Sequence, residues 1–255
     1  MKIVCNIALG ILLLAGSPSL SAEEYIEPTP LALTQSMFRF GALDINNDLI
    51  IDDYAKIAEC DLFTAFHNDD FRWQKIRAGL RTKIRNEVVT YPTSYYVVGK
   101  LYLDRYDFKN KTFKINNDQI TTNPHVSSFN SFTLHNAVSS ACNNNALKVL
   151  PMIYHAVLET QMRVPGFVMG ESDANALLSR MNASGNTARK IYVKFNLSIV
   201  YADKVQIDYS KMDLWNNTMS WVGKTGSVRM YSRLESIEYF EDSERTKKIY
   251  VYNPN

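Results

Sequence analysis

Apolar positions recur along this chain with two periods, and the change between them falls near residue 91. Leu31 to Phe40 sets Leu33, Met37 and Phe40 on one side of a short helix, with Gly41 as its stop. The spacing opens a second helix at Asp52 or Asp53, where a carboxylate caps free amides and meets the positive end of the helix dipole. Tyr54, Ile57, Ala58, Leu62, Ala65 and Phe66 follow the helical period and form its buried stripe, with Cys60 at the edge. Asn68-Asp69-Asp70 ends that helix and caps the next, whose apolar ridge is Trp73, Ile76, Leu80, Ile84 and Val88. Arg77, Arg81 and Arg85 run beside this ridge at every fourth position, and Tyr91-Pro92 stops it.

Beyond that point apolar residues alternate. Tyr95 to Phe108 reads as a strand, Lys109-Asn110-Lys111 as a turn, and Thr112 to Ile115 as the returning strand. Asn116 to Asn145 is polar and loop-dominated, with the strand-like FTLHNAV inside it. Leu147 to Thr160 is apolar, and Pro151 places any strand there after it or at an edge. Ser172 to Met181 is a helix with Ser172 as its cap, and Asn182 to Asn186 is a turn. Arg189 to Tyr201 alternates most clearly, with Ile191, Val193, Phe195, Leu197 and Ile199 facing one way. Val228 to Phe240 and Lys248 to Tyr252 are the last strands. Helices first, then strands with one inserted helix, predict an α+β fold with a largely antiparallel sheet. The helical part covers about 31–90 and the sheet part about 95–255 of a single domain spanning 23–255.

The first residues change the picture of where this domain works. Met1-Lys2, the apolar run Ile7 to Ala15, the break at Gly16-Ser17-Pro18 and the small residues Ser19, Ser21 and Ala22 form a secretory signal peptide over 1–22. No later stretch is a transmembrane candidate, so a secreted or periplasmic protein is expected. Cys5 leaves with the signal. Cys60 and Cys142 remain and are expected to pair in an oxidising compartment; the other reading is two separate buried thiols. A net charge of +2 without a concentrated basic face argues against nucleic acid as a partner.

Candidate chemistry is sparse. Asp44, Asn46, Asp48, the Ile50 carbonyl and Asp52 match the first part of a calcium-binding EF-hand loop. Leu49 replaces the turn glycine and Ala55 the closing bidentate glutamate, so calcium binding would be weak; the other reading is an Asx-rich turn that caps a helix. Gly170-Glu171-Ser172-Asp173-Ala174 resembles a nucleophile elbow, but His67, His125, His135 and His155 all precede Ser172, in the wrong chain order for an α/β-hydrolase. The histidines have no metal-ligand spacing. The Arg77/Arg81/Arg85 row reads as a face that neutralises the acidic helix before it, or as a site for an anionic envelope polymer or lipid headgroup. Trp215 and Trp221 line a surface or anchor a loop.

Cys60, Phe71 and Trp73, LYLDRYDF at 101–108, ANALLSR at 174–180 and RKIYVK at 189–194 together resemble a family of uncharacterised secreted bacterial domains of unknown function. The resemblance implies a bacterial envelope protein and supplies no catalytic residue. Two functions are therefore weighed. One is a non-catalytic module that binds an envelope protein or polymer. The other is a hydrolase of envelope polymers acting through dispersed carboxylates. A closed cleft with two facing acids would favour the enzyme, and an exposed aromatic patch the binder.

Overall fold

The computed structural model describes residues 24–116, 121–122, 130–136, 140–142, 145–160, 164–205 and 227–254. The signal segment 1–22, His125, Trp215 and Trp221 lie outside the described residues.

Four helices come first: α1 (Pro30–Arg39), α2 (Asp48–Ala58), α3 (Cys60–Phe66) and α4 (Asp70–Glu87). Thr29 caps α1 through a bond from the Ala32 amide, with Pro30 at its first position. The helix ends in a Schellman motif: Ala42 N donates to Met37 O and Gly41 N to Phe38 O, with Gly41 at φ 64°. The second helix starts earlier than its spacing predicts. Asn47, not Asp52 or Asp53, is its cap, accepting from the Leu49 and Ile50 amides. It also stops at Glu59, whose extended φ of −139° breaks the turn before α3. That break rotates the stripe. Phe63 takes the inward position, while Leu62 is exposed.

The strands are β1 (Ser94–Asp107), β2 (Thr112–Ile115), β3 (Thr121–Thr122), β4 (Ser131–Asn136), β5 (Ser140–Ala141), β6 (Asn145–Ala146), β7 (Ile153–Leu158), β8 (Phe167–Val168), β9 (Lys190–Ala202), β10 (Ser227–Phe240) and β11 (Lys248–Tyr252). Helix α5 (Glu171–Ala183) precedes β9. The order β4-β7-β10-β9-β1-β2-β8 forms the main sheet; β11 joins the far half of β10, β3 joins β1, and β5 pairs with β6 apart from it. The fold is α+β as the element order predicts, and the sheet is mixed because β7 runs parallel to β10.

The long strands β1, β9 and β10 alternate as two-faced strands should. Tyr95, Val97 and Leu101 of β1 face the helices, as do Ile191, Val193, Phe195, Leu197 and Ile199 of β9 and Ile237 and Tyr239 of β10. Tyr95 Oη donates to Ala32 O at 2.8 Å and pairs with Ser36 Oγ, and Tyr154 Oη pairs with Thr34 Oγ1, so α1 is hydrogen-bonded onto this face. Leu177 and Met181 bring α5 into the same core. Fully burying one such side chain contributes about 1.5–3 kcal/mol.

Two polar ties join the helical layer to the sheet. Asp53, completely buried, binds Lys56 Nζ at 2.9 Å and accepts the amides of Lys148 and Val149 at 2.6 Å and of Leu150 at 3.2 Å. Cys60 and Cys142 form a disulfide, with Cα atoms 5.1 Å apart. Closing a loop of 82 residues should contribute on the order of 4 kcal/mol in the chain-entropy model. The Cys60→Ser/Cys142→Ser variant should lose that amount in denaturant unfolding. Alkylation of unfolded, unreduced protein should label neither residue; two labelled thiols would contradict the pairing.

Candidate functional site

The acidic loop is built as a helix junction. Asp44 Oδ1 accepts the Asn46 amide at 2.9 Å, closing a local turn. Asp52 receives Arg77 on both carboxylate oxygens, at 2.7 and 2.5 Å, and the Trp73 indole N–H at 2.8 Å. Asp48 is shared between Arg77 and Arg81. Arg81 also donates to Ile45 O and Asn46 O, and Arg85 to Asn46 Oδ1. The four-residue steps of α4 put all three guanidinium groups on one face, and antiparallel packing lays that face on the loop. Hydrogen bonding from Arg77 to Asp52 holds the guanidinium above its ordinary pKa. Ile50 lies in the first turn of α2. Among the described residues no three His, Cys, Asp or Glu side chains are grouped to hold a metal ion.

The other candidates are scattered. Ser172 is not the cap of α5: that helix begins at Glu171 after Gly170, and no side chain caps it. Ser172 instead sits exposed in the first turn, between Glu171 and Asp173, whose charges suit the positive helix end. His67 lies flat on Phe63, with ring centroids 4.5 Å apart, and His155 Nδ1 is 3.3 Å from Thr133 Oγ1. Burial depresses the pKa of both His135 and His155.

A site that sequence reasoning missed lies on the other face of the sheet. Register places Tyr96, Lys100 and Tyr102 of β1 beside Lys190, Tyr192, Lys194 and Asn196 of β9, all turned away from the helices. Glu238 and Phe240 of β10 continue this face. Cations lie over its rings: Lys194 Nζ is 4.6 Å from the Tyr96 centroid, and Lys190 Nζ is 5.8 Å from that of Tyr192. At the far end Tyr201 stacks on Tyr231 at 4.2 Å, with Arg229 5.8 Å from the Tyr231 centroid. Each such cation–π contact contributes about 0.5–1 kcal/mol when exposed. The signal was the Lys/Tyr alternation of β1 and β9, legible only once the inward face is subtracted.

Where β9 begins and β10 ends, two turns and these strands enclose a cleft of about 520 Å³. Tyr102, Lys190 and Tyr192 contribute from the strands. One wall is the turn after α5, locked by a second Schellman motif: Asn186 N donates to Met181 O, Gly185 N donates to Asn182 O, and Gly185 has φ 74°. Asn186 then clamps Lys190 through its amide side chain. The other wall is the turn between β10 and β11, where Asp242 accepts from Thr246 N, Thr246 Oγ1 and Lys247 N. Burial pushes the Asp242 pKa up, but these bonds outweigh it and the net shift is downward. Glu241 takes Arg180 Nε on both oxygens, at 3.0 and 2.9 Å, tying this wall to α5.

A family model described as a domain of unknown function (DUF4852) matches residues 46–153, and the chain is similar to that family over this stretch. The matched part carries Asp53, the three amides that it binds and both cysteines; most of the cleft lies beyond it. No curated protein and no solved structure matches.

We propose that Asp44, Asn46, Asp48, Ile50 and Asp52 serve as a helix junction in which arginine supplies the positive charge that calcium would bring. Asp52→Ala should then cost about 2 kcal/mol by stranding Arg77 and the Trp73 N–H. Calcium at about 1 mM should leave the melting temperature of the wild type unchanged. A calcium-dependent rise that disappears in Asp44→Ala/Asp48→Ala would restore the metal loop.

Acid should weaken the outer face in a defined direction. Burial raises the Glu238 pKa, but Lys248 and Asn196 outweigh it, so Glu238, like Asp242, titrates below its ordinary value. A depressed folded-state pKa contributes stability above the unfolded value of about 4 and loses it as pH falls through the folded value. Glu238→Gln should flatten the fall of unfolding free energy below about pH 4. An unchanged acid limb would contradict this assignment.

Proposed function

We propose that this chain is a secreted or periplasmic binding module of the bacterial envelope, with the cleft at the start of β9 as its ligand site. The observation that carries this reading is the use made of the cleft's acids. A hydrolase working through two carboxylates needs one that keeps a proton near neutral pH and one that stays ionised. Here Glu241 is held on both oxygens by Arg180, and Asp242 is held ionised by the amides and hydroxyl of its own turn. Both carboxylates build walls, one tied to Arg180 and the other to its own turn. What remains facing the space is tyrosine, lysine, amide and hydroxyl, a combination suited to holding a polar ligand. Among the described residues no helix is long and apolar enough to cross a membrane.

The test is retention of material from a bacterial envelope extract on immobilised protein lacking residues 1–22. Wild type should retain an envelope component, and Tyr102→Ala/Tyr192→Ala should retain severalfold less while melting at the same temperature. Equal retention by the variant would remove the cleft from the reading. Release of soluble polymer fragments by the wild type would replace a binder with a hydrolase.

A further inference from the structure

The charge around the cleft points to a class of ligand. The cleft's carboxylates have internal partners, whereas among the described residues Lys190 and Lys247 have no ion-pair partner. Lys100 and Lys194 on the adjoining sheet face have none either. Glu241 is balanced by Arg180, whereas Asp242 is held by neutral donors and keeps its charge; against that one charge the four lysines leave a positive excess beside aromatic rings. Successive outward residues on one strand stand roughly 6.6 Å apart and neighbouring strands about 4.8 Å apart, so these lysines and tyrosines form a close lattice. It runs from the cleft onto an open face, which suits an extended chain entering the cleft at one end.

We infer that the cleft and the adjoining face of β1 and β9 bind an acidic polysaccharide, with sugar rings laid on Tyr102 and Tyr192 and sugar carboxylates met by Lys190 and Lys247. This rests on the proposed reading of the cleft as a ligand site and names its ligand class. Asp242, whose partners are neutral donors, decides against a densely charged polymer. A phosphodiester chain carries a negative charge on every unit and would be repelled by it. A sugar hydroxyl donates to the same carboxylate. The side chains of Ser184, Asn186 and Ser243 add further hydrogen-bonding groups to the walls. Hydroxyl donors with intermittent carboxylates satisfy both charge types at once, and flat sugar faces match the tyrosines.

The experiment is calorimetric titration of the protein lacking residues 1–22 with hyaluronan fragments, in which every second sugar carries a carboxylate, with maltoheptaose as a neutral glucan and with oligo-deoxythymidine. Hyaluronan should bind best and weaken with added salt. Lys190→Gln/Lys247→Gln should weaken it by about tenfold or more, with circular dichroism and melting temperature unchanged. Equal binding of maltoheptaose and hyaluronan, or an unaffected lysine variant, would overturn the acidic ligand and leave the cleft as a binding site. Tighter binding of oligo-deoxythymidine would overturn the polysaccharide. No binding of any of the three would overturn the inference, while retention of an envelope component that depends on the two tyrosines would still stand for the cleft.

Discussion

The carboxylate of Asp53 holds the two halves of this protein to one another. A carboxylate accepts on both oxygens, and here one ammonium meets Oδ1 while three consecutive amides converge on Oδ2. A buried charge with fewer partners would be strongly destabilising, and removing one side of a buried pair costs about 3–5 kcal/mol. The site therefore works as a whole: α2 must present Asp53 and Lys56 together, and residues 148–150 must turn their amides inward, just ahead of β7. The disulfide repeats the connection a short distance along the chain, from the first residue of α3 to Cys142. Ion pair and disulfide act on the same joint, one through enthalpy in the folded state and the other through the entropy of the unfolded one.

With the helical layer fastened there, one face of β1, β9 and β10 becomes core and the other stays outside it. Alternation makes that division automatic, and bulges adjust it locally. The shift opposite Tyr231 and Ser232 places an extra residue, Val200, in β9, so that Ile199 faces inward while Tyr201 turns out to stack on Tyr231. Gly166 marks the tightest backbone approach at the sheet edge, where a Cβ would collide with the Phe113 carbonyl. Phe167 can then lie between Phe113 and Tyr239.

The cleft gains its rigidity from turns. A Schellman motif, an asparagine clamp and an aspartate-centred turn hold the lining groups in place. The acids that give the cleft its shape are tied to Arg180 and to the turn between β10 and β11.

The sequence by itself determined the longer elements and their order, but not the break at Glu59 that separates α2 from α3, nor the two-residue strands. The turn at 109–111 with the strand 112–115, the strand after Pro151, the stop at Gly41 and the inward row Ile191 to Ile199 all stand where periodicity and turn chemistry put them. These are local properties, set by steric preferences and by which residues avoid water. Helix starts were less legible: Asn47 outcompeted Asp52 and Asp53 as a cap, and Ser172 capped nothing, because several residues near each start can serve and packing selects among them. The pairing of Cys60 with Cys142 rested on counting, while its geometry rested on the fold. Tertiary structure alone decided what the charges do. Arg77 and Arg81 fill the oxygens that spacing assigned to calcium, Asp53 becomes a buried hub, and Lys190 beside Tyr192 becomes part of a cleft. A charged side chain takes its role from partners distant in sequence, and only folding brings those partners within a few ångströms.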